Sequence, residues 1–110
     1  MIFVTGPRYA GKKEYILHAM GLSEAEFAES AVCGAETLVS RVDQVDAVYA
    51  QLRDRQIVIA SETGCGVVPA DPLEEERREA AGRLSCRLAA SADVVIRVVC
   101  GIPCFLKGTL

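Results

Sequence analysis

The stretch Ile2-Phe3-Val4-Thr5-Gly6-Pro7-Arg8-Tyr9-Ala10-Gly11-Lys12-Lys13 passes from an apolar run through a glycine-bounded turn into a helix start. Ile2 to Thr5 carries β-branched residues and is ended by Gly6, which is the pattern of a buried first strand. Gly11 and Lys12 open a helix expected to run to about Met20, with Gly21 placed to cap it. Between strand and helix lies the spacing G-x-x-x-x-G-K. Its glycines let the backbone curl so that successive N–H groups face an anion, and the helix N-terminus adds positive potential. Lys12 is then positioned to reach outer phosphates.

Beyond this opening the same alternation continues. Ser23-Glu24-Ala25-Glu26 has capping-box spacing, so a second short helix is expected to about Glu29, followed by a short strand at Ala31-Val32-Cys33. From Glu36, the apolar residues Leu38, Val42, Val45, Tyr49 and Leu52 recur at helical steps and predict one continuous amphipathic helix. Ile57-Val58-Ile59-Ala60 reads as a strand covered on both faces. The glycine-containing loop Thr63-Gly64-Cys65-Gly66-Val67-Val68-Pro69 follows it.

Asp71-Pro72-Leu73-Glu74 supplies an N-cap, a first-turn proline and a capping-box glutamate, while Glu75 and Glu76 complement the helix dipole. Leu73, Arg77, Ala80, Ala81, Leu84 and Leu88 share one face of the long helix that starts there. Val94 to Cys100 is the last expected strand. Strands alternating with helices imply right-handed crossovers and a mostly parallel sheet. The expected fold is α/β: a P-loop-type three-layer α/β/α arrangement with a mostly parallel sheet of about four to five strands, as one domain over residues 1–110.

Composition narrows the function classes. The chain has 110 residues, 12 basic and 15 acidic, with a net charge of −3. It shows no basic excess or stripe, which argues against nucleic acid as a partner. No apolar run approaches the roughly 20 residues of a membrane span, and the N-terminal apolar stretch is too short for a signal-peptide core. A cytoplasmic protein is expected. The five cysteines include no C-x-x-C pair, so they are expected to be reduced and mostly buried as small apolar residues. With His18 as the single histidine, no metal–thiolate site is expected.

The expected nucleotide-binding set is Gly6, Pro7, Arg8, Tyr9, Ala10, Gly11, Lys12 and Lys13, holding ATP or GTP by its phosphates. The position after the loop lysine normally holds Ser or Thr, whose hydroxyl ligates Mg²⁺. Here it is Lys13. An ammonium has no lone pair and repels a dication, so the residues make a poor Mg²⁺ site and no metal ligand is assigned. Lys13 either adds its charge near the phosphates or points to solvent. Lys12 and Glu62 are the candidate catalytic residues. Glu62 lies at the end of a central strand, where a parallel sheet places its ligands. It either holds a metal through water or orients a substrate hydroxyl, or is simply hydrogen-bonded to the glycine-rich loop.

Ser61-Glu62-Thr63-Gly64-Cys65-Gly66-Val67-Val68-Pro69 resembles the S-N-E-x-G-x-G-x-V-P signature of the adenosylcobinamide kinase/adenosylcobinamide-phosphate guanylyltransferase family, with the Asn absent. Ala81-Gly82-Arg83-Leu84, Arg87-Leu88-Ala89, Ala92-Asp93, Gly101-Ile102-Pro103 and Leu106-Lys107-Gly108 are similar to its continuation. The family's enzymes are P-loop proteins. They phosphorylate adenosylcobinamide with a nucleoside triphosphate, then transfer GMP from GTP through a histidine, late in cobalamin synthesis.

The stretch between Met20 and Gln56 is shorter than the family's, and the missing part carries the guanylylated histidine in an H-R-x-x-R-P context. His18, followed by Ala19-Met20-Gly21, does not match it. The second-strand metal aspartate also lacks a clean counterpart, Glu36 being the nearest carboxylate. Arg83 and Arg87 lie four apart on a helix, facing a phosphate, a neighbouring subunit or solvent.

Three functions therefore remain open. The first is a nucleotide-binding protein with guanylyl transfer lost and catalysis degenerate. The second is an active cobinamide kinase-like phosphotransferase that binds a corrinoid. The third is a non-catalytic partner protein. A homo-oligomer is expected, because a small sheet leaves edges and apolar faces to cover.

Overall fold

The computed structural model describes residues 1–63 and 71–110. Its strands are β1 (Ile2–Thr5), β2 (Ala31–Cys33), β3 (Ile57–Ile59), β4 (Val94–Val99) and β5 (Ile102–Lys107). Its helices are α1 (Lys12–Met20), α2 (Glu24–Ser30), α3 (Val45–Leu52) and α4 (Pro72–Ser91), with two 3₁₀ turns at Ala35–Leu38 and Val42–Gln44. The strands form one sheet in the order β2-β3-β1-β4-β5, parallel except for the antiparallel β4–β5 pair.

β1 sits at the centre, with Phe3 in register with Val58 on one side and Val95 on the other. Both faces of these strands are covered, which is why they read as continuous apolar runs. Side-chain alternation divides the core in two. Phe3, Val58 and Val95 pack with α3 and α4, through Val45, Leu52, Leu84 and Leu88. Val4, Ile57, Ile59 and Ile96 pack with Ile16 of α1 and Phe27 of α2 on the other face. The result is the expected three-layer α/β/α arrangement.

Local signals place the first helices as read. Gly21 caps α1 in the left-handed conformation at φ 64. Ser23 and Glu26 make both bonds of the capping box at the start of α2.

The continuous helix expected from Glu36 is broken. Thr37 Oγ1 donates to Gly34 O at 2.6 Å in the first 3₁₀ turn, and the chain then becomes extended at Val39. Gln44 Oε1 accepts from the amides of Ser40 (2.8 Å) and Arg41 (3.1 Å), so the chain restarts at Val42 with a side-chain cap. The break shifts the phase of the apolar face. Val39 is buried, whereas Leu38 is 47% exposed.

On α4 the face expected to be apolar begins later than its sequence. Asp71 caps it through Leu73 N at 2.9 Å, and Ala80, Ala81, Leu84 and Leu88 are buried. Leu73 is 70% exposed, because the first turns of α4 precede its contact with the sheet. Glu74 pairs with Arg77.

Two further expectations need correction. Cys33, Cys86, Cys100 and Cys104 are exposed rather than buried. They lie at the end of the edge strand β2, on the solvent side of α4, in the β4–β5 turn and on the outermost strand. Cys65 falls outside the described residues, as does the block Gly64 to Pro69.

β5 was also not anticipated as a strand. Cys100 and Gly101 both have positive φ, 53 and 74, and join β4 to β5 with Val99 opposite Ile102. Two successive positive φ values in a two-residue link suit the twist of a hairpin. Pro103 is tolerated in β5 because the strand lies at the sheet edge.

Candidate functional site

The loop between β1 and α1 is shaped by close backbone approach. Gly6 has φ +145, and a Cβ there would lie 2.2 Å from Val98 O on β4. Gly11 begins α1 at φ 84 with no side-chain cap, which leaves the first-turn amides for another acceptor. Tyr9 has φ 59 and is fully exposed. Two tertiary bonds brace the loop. Glu62 N donates to Gly6 O at 2.9 Å, and Gly101 N, at the β4–β5 turn, donates to Ala10 O at 2.7 Å.

Lys12 is the lysine of this loop and is only 8% exposed. Its Nζ donates to Pro7 O at 2.6 Å and Gly6 O at 3.4 Å, so the ammonium lies within the curl of the loop. Burial pushes it below the ordinary lysine range, while Glu36, Glu62 and Glu14 oppose that shift. The loop thus combines a curled backbone, a helix start and a buried cation.

Lys13 turns toward α2. Its Nζ lies 3.0 Å from Glu24 Oε2 and 5.3 Å from the centre of the Phe27 ring, both on α2. The hydrogen bond and charge of Glu24 hold it above the ordinary lysine range. The side chain remains 44% exposed, so this contact lies at the surface.

Two carboxylates stand near the loop. Glu36 is 8% exposed and its Oε1 accepts from Ser61 N at 2.8 Å, which ties the first 3₁₀ turn to the segment after β3. Glu62 meets Arg97 through two bonds, Nε to Oε1 at 2.6 Å and Nη2 to Oε2 at 3.0 Å. Arg97 lies on β4 in register with Thr5, the residue before Gly6. Because β1 runs between β3 and β4, this bidentate pair reaches across the end of β1, beside the loop.

Sequence reasoning singled out Glu62 but missed Arg97. The available signal was a lone charge inside Val94-Val95-Ile96-Arg97-Val98-Val99.

A cleft of about 500 Å³ opens at this carboxyl end of the sheet, with Arg8, Glu36, Thr37, Glu62, Thr63 and Arg78 among its lining. A smaller hollow of about 240 Å³ adjoins it at Thr5, Gly82 and Ser85. Parallel sheets place ligands at this end. His18 is exposed on α1, and its carbonyl accepts from Gly21 N. Arg83 pairs with Glu79, while Arg87 pairs with Asp46 and lies 4.3 Å from the Tyr49 ring, tying α4 to α3.

The fit to Mg²⁺ is poor. The hydroxyl position is an ammonium turned to Glu24, both Glu62 oxygens meet a guanidinium, and Glu36 serves a backbone amide. Among the described residues, no three His, Cys, Asp or Glu side chains gather as a metal cluster. Among them, too, no helix is long and apolar enough to cross a membrane.

A mostly parallel sheet with a glycine-bounded loop between its first strand and first helix defines a P-loop-type α/β protein. Within that class, the chain belongs to the cobinamide kinase / cobinamide phosphate guanyltransferase family, whose profile matches residues 17–106. It is 43% identical over 51 residues to the bifunctional adenosylcobalamin biosynthesis protein CobU of Salmonella typhimurium. That alignment covers 46% of this chain but 28% of the relative's length. The family match begins beyond Lys12 and leaves the Gly6–Lys12 loop outside it.

Proposed function

We propose that this chain is a nucleotide-binding protein of cobalamin biosynthesis in which the Gly6–Lys12 loop holds the phosphates of ATP or GTP. Guanylyl transfer is lost and phosphotransfer is degenerate. The observation that carries this reading is the buried Lys12 ammonium inside a curled loop at the start of α1. Such a loop meets an anion with backbone N–H groups, a helix N-terminus and a fixed positive charge. Lys12 binds the outer phosphates, and Glu62, held by Arg97, borders the acceptor side.

Loss of guanylyl transfer is supported by the position of His18, exposed on α1 with a sequence context unlike the family's. Weak phosphotransfer is supported by the poor Mg²⁺ donor set, since metal positioning dominates that reaction. The adjoining cleft, at about 500 Å³, falls in the range of small-molecule sites, about 300–1,000 Å³. It is the proposed place for part of a corrinoid acceptor. A single P-loop-type domain in the cytoplasm, without nucleic acid or membrane partners, completes this reading.

Isothermal titration with ATP and with GTP tests it, alongside a Lys12→Ala variant. Binding by the native chain and a loss of about tenfold or more in the variant, roughly the 1.4 kcal/mol of one charged hydrogen bond, are expected. Absence of heat with both nucleotides, and of any thermal shift, would refute it. Phosphorylated cobinamide accumulating over many turnovers would instead select the active kinase-like phosphotransferase.

A second reading concerns self-association. β5 is an edge strand on which Ile102 is 68% exposed, with Phe105 and Leu106 also exposed. Unpaired backbone groups beside apolar side chains favour pairing with another copy. Sedimentation at low concentration that shows a persistent monomer would count against this homo-oligomer.

A further inference from the structure

We propose that Arg97 stands where a divalent cation would neutralise Glu62, so that this site takes a polyphosphate as the metal-free polyanion. The inference rests on the loop reading above and adds the ionic form of the ligand. Three separate side chains lead to it. The first is Lys13 in the hydroxyl position, committed to Glu24 and Phe27 on α2. The second is Glu62, whose two oxygens each accept from Arg97. The third is Glu36, whose Oε1 accepts from Ser61 N.

Arg97 is not a loosely placed surface charge. Its backbone is fixed in β4, in register with Thr5 of β1. Alternation along β4 directs it to the same face as Val95, where α4 packs. A planar guanidinium matches a carboxylate in two parallel bonds, and it cannot lose its proton. Both Glu62 oxygens are already paired with a permanent positive charge. A dication approaching that carboxylate would meet the guanidinium's charge at close range.

On the ligand side, Lys12 and Arg8 present positive charge to the loop and cleft. They would attract a free triphosphate more strongly than one whose charge Mg²⁺ has already reduced.

The test is titration of ATP, GTP and inorganic triphosphate into the whole chain in EDTA and in excess MgCl₂. The native chain is expected to bind the metal-free ligand about threefold or more tightly than the Mg²⁺ complex. Arg97→Leu suits the apolar strand while removing the guanidinium from Glu62. It is expected to lose at least about tenfold in EDTA and to recover with Mg²⁺. Arg97→Lys, which keeps the charge, should remain independent of the metal.

Native binding that disappears in EDTA would overturn this inference and leave the loop reading intact. Lack of binding by all three ligands under both conditions would overturn the loop reading, and this inference with it. Arg97→Leu behaving as the native chain does in both buffers would remove Arg97 from the account. If Arg97→Leu fails to fold, Mn²⁺ electron spin resonance on the native chain decides the matter. A protein-dependent change in the spectrum of Mn²⁺–ATP would overturn the proposal, and an unchanged spectrum would support it.

Discussion

Replacing Gly6 with alanine attacks the loop where backbone approaches backbone most closely. The new Cβ would stand 2.2 Å from Val98 O, about 1 Å inside ordinary contact for carbon and oxygen. Val98 cannot retreat easily: it is fully buried and its strand is paired with β1 on one side and β5 on the other. The loop must move instead. Its φ of +145 is itself nearly restricted to glycine, at a cost of about 1–3 kcal/mol for any other residue. Displacement would also disturb the bonds that Gly6 O accepts from Glu62 N and Lys12 Nζ, each worth about 1 kcal/mol net.

Together these suggest a loss of about 3–5 kcal/mol, a large part of the roughly 5–15 kcal/mol typical of a domain. Urea unfolding followed by circular dichroism measures it. Gly82→Ala is the internal control, because a Cβ there meets nothing within 4 Å and the position lies inside α4. That change should stabilise by about 0.5–1 kcal/mol. A Gly6→Ala protein within about 0.5 kcal/mol of the parent would refute the claim that this contact shapes the loop.

Other measurements test separate parts of the structure. The broken helix predicts that Val39→Ala costs about 2 kcal/mol while Leu38→Ala costs little; equal losses would restore a continuous apolar face. Ile16→Ala, in the core beneath α1, should lose about 2–5 kcal/mol in the same assay. The lowered Lys12 pKa predicts that stability rises with pH between its folded value and the ordinary 10.5. In that window the unfolded chain retains a proton that the folded protein has released, and Lys12→Met should flatten the rise. A native profile that falls there would contradict the burial argument.

Much of the architecture was legible because its causes are local. A continuous apolar run followed by glycine reads as a strand and its end, while Ser23 with Glu26 and Asp71 with Pro72 announce helices through caps only residues away. The errors arose where side chains competed with periodicity. Gln44 captured the amides of Ser40 and Arg41 and divided a helix that spacing alone had made continuous. Exposed cysteines were misread because the expectation came from residue type, whereas exposure depends on which strands become sheet edges, which helix face meets solvent and where turns fall.

By itself, the sequence determined that a strand, a curled loop and a helix would place Lys12 at the start of α1, since neighbours along the chain suffice to build that unit. Only the tertiary structure decided which charges surround it. Glu62 meets Arg97 because β1 inserts between β3 and β4, and Lys13 meets Glu24 because α2 packs beside α1. Those partners are remote or separately folded segments. Hydrogen bonds and ion pairs act over a few ångströms, so their identity follows from packing, which residue spacing does not encode.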